Sequence, residues 1–343
     1  MNSATIPGAH ASAHTGPNTP ADFGDARAEF HALLSTCGVY DLRWRSKIAL
    51  TGSDRVRWLN GMITNNVRDL ATGHGVYAFL LNAQGHIQAD LYAFQRGDSL
   101  LVDFESLWWQ QKILQLFDHY IIADDVEVTD VSVTITALGL TGPESRPVLE
   151  RAGIAVPELA YLQFAEVQWQ EIGVTVLHSG EEARESWQVW IAPEHVTTLW
   201  DALLQAGARR TGETALNFFR IAKGIPQFGV DIRERDLPQE TGQMRALNFT
   251  KGCYLGQEIV ERIRSRGAVH RQFGAFTVEG ELPARGMKIQ AEGKDVGEVT
   301  TSAILPLAGG DRKVALGYLR REAAGKELQA GDAKLKAAQV PIV

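Results

Sequence analysis

One segment of the sequence combines residue types that are able to carry chemistry. Residues 251–258 read Lys-Gly-Cys-Tyr-Leu-Gly-Gln-Glu and run directly into a predicted helix. Cys253 is predicted at or just before the N-terminus of that helix, close to Lys251 in the sequence. The positive end of a helix and a neighbouring ammonium group both stabilise a thiolate. The pattern predicts a reactive or metal-accepting thiol, and a small buried core residue is the alternative interpretation.

The helix that follows is predicted from its apolar spacing and its charge pairs. Ile259, Val260 and Ile263 recur on one helical face, and Glu258 and Arg262 form a favourable i, i+4 pair. Further cations follow at Arg264, Arg266, His270 and Arg271. This basic strip is interpreted either as a solvated helix face or as a cradle for a polyanionic ligand.

The elements that position this segment are a mixture of strands and helices. Strands are predicted at Val39–Leu50, Tyr77–Leu81, His86–Phe94, Ser99–Phe104, Val126–Leu138, Ile172–Leu177 and Trp187–Ile191. Helices are predicted after an N-cap at Ser53 and after Pro193. Because strands and helices alternate irregularly, the order favours an α+β fold over a regular doubly wound sheet.

Composition changes at both ends of the chain. After Gln272, short strands separated by Gly, Pro and Asp predict a small all-β barrel or sandwich. The first 20 residues contain no Asp, Glu, Lys or Arg and predict a disordered tail. We therefore predict a tail over 1–22, a central α+β region over 23–268 and a barrel domain over 269–343.

Charge and cysteine content exclude several classes of function. The chain of 343 residues has 34 Lys and Arg against 41 Asp and Glu, which gives a formal net charge of −7. This charge argues against direct binding to nucleic acid or to an acidic membrane. Two cysteines without a Cys-x-x-Cys pair give little support to a resident metal site. With no signal-peptide pattern, the sequence predicts a cytoplasmic protein.

The run KGCYLGQEIVERIRSRGAVHR resembles the signature of the YgfZ/GcvT-type folate-binding proteins, and within that group it resembles the YgfZ branch. Segments 37–67, 77–94 and 218–232 are similar to other parts of the same family. The resemblance implies an α+β fold with ferredoxin-like halves around a folate cleft and a C-terminal β-barrel.

Departures from the glycine cleavage T-protein favour the YgfZ branch. T-proteins are aminomethyltransferases, and they usually carry two adjacent Asp residues shortly after the glycine turn of the strand meander at 77–94. The first of these Asp residues is their catalytic carboxylate. Here that position is Ala89, and only Asp90 remains. Gln188 stands where they have a pterin-recognising Glu, and Cys253 stands where they typically have Asp. The chain therefore lacks the catalytic carboxylate of the transferase at position 89, and it has a thiol at position 253, where the transferases typically have Asp.

The resemblance also implies residues for binding tetrahydrofolate or another reduced folate. Arg220 matches an arginine that the transferases use at the folate, and Gln188 is suited to the pterin edge. Trp44 and Arg45 lie near a strand position where the YgfZ branch places a folate-contacting tryptophan. The candidate cofactor-binding residues are Arg220, Gln188, Trp44, Arg45, Asp90, Gln257 and Glu258. The candidate catalytic residues are Cys253 and Lys251.

The resemblance predicts an accessory protein for iron–sulfur cluster assembly or repair, including the radical enzymes that methylthiolate tRNA. Because one cysteine cannot hold a cluster, we expect Cys253 to share it transiently with a partner protein. Iron–sulfur assembly proteins and cluster-dependent enzymes are the expected partners. The alternatives are a folate-dependent aminomethyltransferase or demethylase, which Ala89 disfavours, and a non-catalytic folate sensor.

Overall fold

The computed structural model describes residues 10–11, 20–105, 110–180, 185–267 and 269–342. The strands are β1 (His10–Ala11), β2 (Pro20–Asp22), β3 (Gly38–Asp41), β4 (Arg45–Thr51), β5 (Gly75–Leu81), β6 (Ile87–Gln95), β7 (Leu100–Glu105), β8 (Glu127–Asp130), β9 (Thr136–Thr141), β10 (Phe164–Trp169), β11 (Ile172–His178), β12 (Ser186–Ile191), β13 (Arg209–Arg210), β14 (Arg271–Glu279), β15 (Lys288–Ala291), β16 (Lys294–Leu307), β17 (Gly310–Arg320), β18 (Leu328–Ala330) and β19 (Ala333–Ala338). The helices are α1 (Ala26–Ser35), α2 (Arg55–Met62), α3 (Gln110–Tyr120), α4 (Ser145–Arg151), α5 (Val196–Gln205), α6 (Glu213–Ala222) and α7 (Gln257–Arg266). Among the helices described, none is long and apolar enough to cross a membrane.

The larger sheets are two open sheets and one closed barrel. The six-stranded sheet has the order β10-β11-β12-β9-β3-β13, and the five-stranded sheet has the order β5-β6-β7-β4-β8. The barrel has the order β14-β17-β16-β15-β18-β19. Both the α+β class and the closed C-terminal barrel predicted from the sequence are confirmed.

The chain divides into two compact units. The first unit comprises Met1–Leu59, Asn66–Tyr77 and Leu91–Leu216. The second unit comprises Asn60–Asn65, Ala78–Asp90 and Asn217–Val343. The domain boundaries inferred from the sequence stay predictions, and most of the predicted tail over 1–22 lies outside the described residues.

Helix α5 packs its apolar face into the core of the first unit, as the sequence predicts. Val196, Leu199, Trp200 and Leu203 are all buried, and they share this core with Trp187 of β12. Their spacing of three and four residues places them on one helical face. The 3₁₀ turn that begins at Pro193 leads directly into the helix, because the fixed backbone angle of proline suits a first turn.

The predicted strand Val39–Leu50 is two strands in different sheets. The chain leaves β3 after Asp41, and β4 begins at Arg45 in the five-stranded sheet. The carboxylate of Asp41 accepts a hydrogen bond from the Arg43 backbone N–H at 2.8 Å, and its carbonyl accepts one from the Trp44 indole at 3.1 Å. These local bonds hold a turn that alternating apolar residues do not reveal.

Two further sequence predictions are wrong in detail. Val126–Leu138 is not one strand, because β8 ends at Asp130 and β9 begins at Thr136 in the other sheet. The intervening turn is closed by the N–H groups of Thr134 and Ile135, which both donate to the carbonyl of Val131. Ser53 is not the N-cap of α2, since the helix begins at Arg55 and the Ser53 side chain bonds Asp125 instead.

The barrel is closed around an apolar core and needs glycine where its strands approach closely. A Cβ atom at Gly317 of β17 would lie 2.3 Å from the Glu298 carbonyl oxygen. This approach occurs next to the register shift of β16 between Val299 and Thr301. Gly274, which pairs with Gly317 across the ladder, has open space at its Cβ position. The space for a side chain is therefore restricted at Gly317 of β17 and free at Gly274 of β14.

Replacing Gly317 with Ala tests this close approach. We expect Gly317→Ala to lower the free energy of unfolding by about 1–3 kcal/mol, because the added methyl group forces the two strands apart. Gly274→Ala is the matched control and is expected to change the stability by no more than about 0.5 kcal/mol. Urea unfolding followed by circular dichroism measures both, and equal effects of the two substitutions would contradict the packing.

Candidate functional site

Lys251 anchors the cysteine-containing segment to the end of α2 within the second unit. Its side chain is buried, and its ammonium group donates to the carbonyl oxygens of Asn60 and Ile63. A lysine at a helix C-terminus satisfies carbonyl groups that have no partner inside the helix. The Leu255 N–H adds a 3.0 Å bond to the Gly61 carbonyl. The structure therefore gives Lys251 an anchoring role, and its catalytic role stays a prediction.

The two glycines of the segment differ in their surroundings. Gly256 has a φ of +81°, and a Cβ atom there would lie 2.6 Å from the Asn82 carbonyl oxygen. Gly256 is also the N-cap of α7, so the helix begins where the segment touches the turn between β5 and β6. Gly252 has a φ of +93° with nothing within 4 Å of its Cβ position. Both need glycine for the backbone angle, and Gly256 needs it for space as well.

The two cysteines lie in opposite environments. Cys253 is exposed, and it precedes the α7 N-cap by three residues, so it lies before the helix rather than in its first turn. Cys37 is fully buried in the core of the first unit. Burial raises the pKa of the Cys37 thiol to about 11, which keeps it protonated and unreactive at neutral pH. The structure leaves Cys253 as the accessible thiol and rules out the interpretation of Cys253 as a buried core residue.

The side chains at the start of α7 differ in their exposure and in their partners. Glu258 is exposed and forms a 2.5 Å ion pair with Arg262, which confirms the predicted i, i+4 pair. Gln257 is half-buried, and its backbone N–H donates to the Tyr254 carbonyl at 3.1 Å. Val260 is fully buried and fixes the helix face. A solvated helix face therefore describes the Glu258–Arg262 side of α7.

Arg220 of α6 belongs to an internal ion-pair network in the second unit. Its guanidinium group donates to Asp231 at 2.6 Å and to Asn217 at 2.8 Å. Asp231 is fully buried and also accepts hydrogen bonds from the hydroxyl groups of Thr300 and Thr301. A buried carboxylate that accepts this many hydrogen bonds holds its arginine partner in place. Arg220 therefore has a structural partner in addition to its predicted role at the folate.

Trp44 and Arg45 meet a buried carboxylate in the first unit. The Arg45 guanidinium donates to Asp103 of β7 at 2.5 Å, and Asp103 is almost fully buried. The same guanidinium lies 5.5 Å from the centre of the Trp44 ring and 5.7 Å from the centre of the Tyr92 ring. Burial alone would lower the pKa of Arg45, but the carboxylates of Asp103 and Glu105 outweigh burial and raise it. Arg45 is therefore a cation held by Asp103 within cation–π distance of two aromatic rings.

Lys47 lies two residues further along β4 and shares the same carboxylate. Its side chain is fully buried, with its nitrogen 3.4 Å from Asp103 Oδ2 and 5.9 Å from the centre of the Trp190 ring. Gln188, on the same face of β12 as Trp190, accepts a 3.0 Å hydrogen bond from the Trp190 indole. Burial lowers the pKa of Lys47 against the opposing effect of Asp103. The contacts thus connect Trp44 and Arg45 to Gln188 in one group, which we call the β4 cluster: Trp44, Arg45, Lys47, Tyr92, Asp103, Gln188 and Trp190.

Ala89 and Asp90 occupy opposite faces of β6. Ala89 is 2% exposed and shares the buried face with Ile87 and Leu91, whereas Asp90 is half-buried on the other face. A side chain at position 89 therefore points into apolar packing. The methyl group of Ala89 suits this buried position, because a carboxylate there would lose its contact with water at a cost in free energy.

The predicted site residues fall into two groups, one in each unit. Trp44, Arg45 and Gln188 come together in the β4 cluster of the first unit. The second unit contains Cys253, Lys251, Gln257, Glu258, Arg220 and Asp90. Among the residues the structure describes, no three His, Cys, Asp or Glu side chains are grouped to hold a metal ion.

Sequence reasoning missed Lys47, Asp103, Tyr92 and Trp190. A signal for Lys47 was present, because Arg45 and Lys47 are two residues apart in a predicted strand, which puts both cations on one face. Asp103 interrupts the otherwise apolar run from Leu100 to Phe104 in the same way. A charge inside a buried strand indicates a partner on a neighbouring strand.

Comparison with models of known protein families identifies the family of this chain. The model of the GCVT N-terminal domain matches residues 4–251, which is most of the chain. The chain belongs to the GcvT family. In this GcvT-family chain, the model of the CAF17 C-terminal β-barrel domain matches residues 270–342, the part that forms the closed barrel.

Curated relatives of this GcvT-family chain carry the name aminomethyltransferase. A protein of Rubrobacter xylanophilus is 28% identical over 89% of this chain and 82% of its own length. One of Geobacillus kaustophilus is 26% identical over 94% of this chain and 91% of its own length. The crystal structure of the glycine cleavage system aminomethyltransferase T from Bartonella henselae superposes with a TM-score of 0.87 at 21% identity, covering 98% of this chain and 94% of that one. This superposition supports the GcvT fold.

Replacing Gly256 with Ala tests the contact between the thiol segment and the β5–β6 turn. We expect Gly256→Ala to cost about 2–4 kcal/mol of unfolding free energy, from the left-handed backbone and the clash with Asn82 together. Gly252→Ala, with the same backbone angle and open space, is the matched control and is expected to cost about 1–2 kcal/mol. Thermal unfolding of both variants measures the difference, and equal costs would show that the segment does not pack against the turn.

The lowered pKa of Lys47 gives the protein a distinct pH dependence. Between this pKa and the usual lysine value of 10.5, the unfolded chain binds more protons, so stability rises with pH. The contribution is at most about 1.4 kcal/mol per pH unit. We expect Lys47→Met to remove this slope in urea unfolding measured across alkaline pH. The exposed-lysine control Lys294→Met keeps it, and an unchanged slope in Lys47→Met would refute the assignment.

Proposed function

We propose that this GcvT-family protein is a folate-binding accessory factor for iron–sulfur cluster assembly or repair, of the YgfZ type. The observation that carries the proposal is the exposed thiol of Cys253, held on a segment that Lys251 and Gly256 fix to the second unit. The match of the C-terminal barrel to the CAF17 domain supports the same branch of the family. The enzymes that benefit would include the radical enzymes that methylthiolate tRNA.

The β4 cluster fits a reduced folate by its chemistry. Trp44 and Tyr92 offer half-buried aromatic rings for a flat pterin, and Arg45 offers a permanent cation. The buried amine of Lys47 lacks a well-aligned hydrogen-bond acceptor among the described residues, which suits a site that receives a polar ligand. Trp44, Arg45 and Gln188 would hold the folate, which supplies a carrier for one-carbon units when bound. For Asp90, Arg220, Gln257 and Glu258 the folate role stays a prediction.

Cys253 is proposed as one ligand of a cluster that passes through the protein. An iron–sulfur cluster needs several ligands, so a partner protein would contribute the others. The thiol lies on the surface, where a partner protein has direct access to it. Cluster-assembly proteins and cluster-dependent enzymes of the cytoplasm are the proposed partners. With a formal charge of −7, the chain has no overall attraction for tRNA itself.

A folate-dependent aminomethyltransferase is the second candidate, because the relatives named above are aminomethyltransferases. Ala89 opposes this candidate, since a buried methyl group neither accepts a proton nor binds an amine. Incubating the protein with an aminomethyl donor and tetrahydrofolate separates the two candidates. Formation of methylene- or methyl-folate, or release of formaldehyde, would favour the transferase or a related demethylase.

The accessory role is tested by replacing the thiol in cells that lack the gene. We expect Cys253→Ser to reduce tRNA methylthiolation by at least about tenfold relative to the wild-type chain, because serine is a poor ligand for a cluster. Cys37→Ala removes the buried thiol and serves as the matched control, with methylthiolation retained. Full rescue by Cys253→Ser would reject the role, and normal cluster enzymes without the gene would favour a folate sensor.

A further inference from the structure

We propose that Lys47 donates to a negatively polarised oxygen of the bound folate and takes up a proton when that folate binds. The inference rests on the proposed folate-binding function and adds a residue that recognises the ligand. It follows from the contacts within the β4 cluster, all of which lie in the first unit.

Lys47 is a buried donor without adequate acceptors. Its side chain has no exposed surface, and an ammonium group has three hydrogens to donate. Its contact with Asp103 is long at 3.4 Å, and no described residue offers it a well-aligned hydrogen bond. Arg45 holds the other oxygen of Asp103 at 2.5 Å. Asp103 therefore binds Arg45 at the shorter distance, and the buried amine of Lys47 keeps hydrogens that it is able to donate to a further acceptor.

Burial is the largest effect on the pKa of Lys47 and lowers it, as the neighbouring Arg45 also does, whereas Asp103 on β7 has the opposite effect. The other titratable groups around this pair are Tyr40 of β3, Tyr92 of β6 and Glu105 of β7. An oxygen that accepts a hydrogen bond from the ammonium form raises the pKa of Lys47. Binding and protonation are then linked, so the affinity rises as the pH falls.

The neighbours of Lys47 suit a ligand with a flat ring and an acceptor oxygen. The Lys47 amine lies 5.9 Å from the centre of the Trp190 ring, and the rings of Trp44 and Tyr92 both lie within 6 Å of the Arg45 guanidinium. A folate has two kinds of such oxygen, the pterin carbonyl oxygen and the carboxylate oxygens of its glutamate tail. Both accept a hydrogen bond from an ammonium group, so the chemistry that Lys47 recognises is shared by the two.

Proton uptake on binding tests the inference directly. Calorimetric titration of the full-length protein with 5-formyltetrahydrofolate, in two buffers of different ionisation enthalpy at several pH values from neutral to alkaline, gives the number of protons bound at each pH. We expect net uptake for the wild type, and for Lys47→Met no uptake with an affinity about tenfold lower. Lys47→Gln keeps a neutral donor and is expected to bind without uptake. Lys294→Met, at an exposed barrel lysine, is the matched control and keeps the uptake.

A tetrahydropterin without the glutamate tail distinguishes the two oxygens. Uptake with this compound supports recognition of the pterin carbonyl, and uptake confined to the full folate supports recognition of a carboxylate. Folate binding without proton uptake, or with uptake unchanged in Lys47→Met, would overturn the inference while leaving the proposed function intact. If the wild type binds no folate, the folate-binding proposal fails and this inference fails with it.

Discussion

The ammonium group of Lys251 lies buried against the carbonyl oxygens of Asn60 and Ile63, and the position of the reactive segment depends on this contact. These carbonyls end α2, where helix geometry leaves them without internal partners. One buried cation thus completes a helix end and fixes the chain two residues before Cys253. The backbone next to Cys253 is held in this way, although the Cys253 side chain itself is exposed.

The two units use buried charge for different purposes. In the second unit, Asp231 is surrounded by donors from Arg220 and two threonines, so its charge is fully compensated. In the first unit, Asp103 is shared between Arg45 and Lys47, and the lysine receives the weaker contact. Buried polar groups are normally satisfied, and an incompletely satisfied one indicates either strain or a binding role. The aromatic rings around Lys47 favour the binding role.

The sequence was informative where local spacing determines structure. The barrel strands and the helix after Gly256 followed from the spacing of short strands and from helical periodicity. The predicted strand Val126–Leu138 was wrong because a turn inside it is closed by backbone bonds to Val131, which leave no trace in composition. The role of Lys251 was equally hidden, since its partners are backbone carbonyls almost 190 residues away along the chain.

Cys253 is the accessible thiol of the native protein, whereas Cys37 is buried in the core. Titration of the native chain with a chromogenic thiol reagent, followed by complete denaturation, measures this difference. We expect one reactive thiol in the native wild type, none in native Cys253→Ser, and two in the denatured wild type. A native wild type with no reactive thiol, or one whose reactive thiol persists in Cys253→Ser, would contradict this expectation.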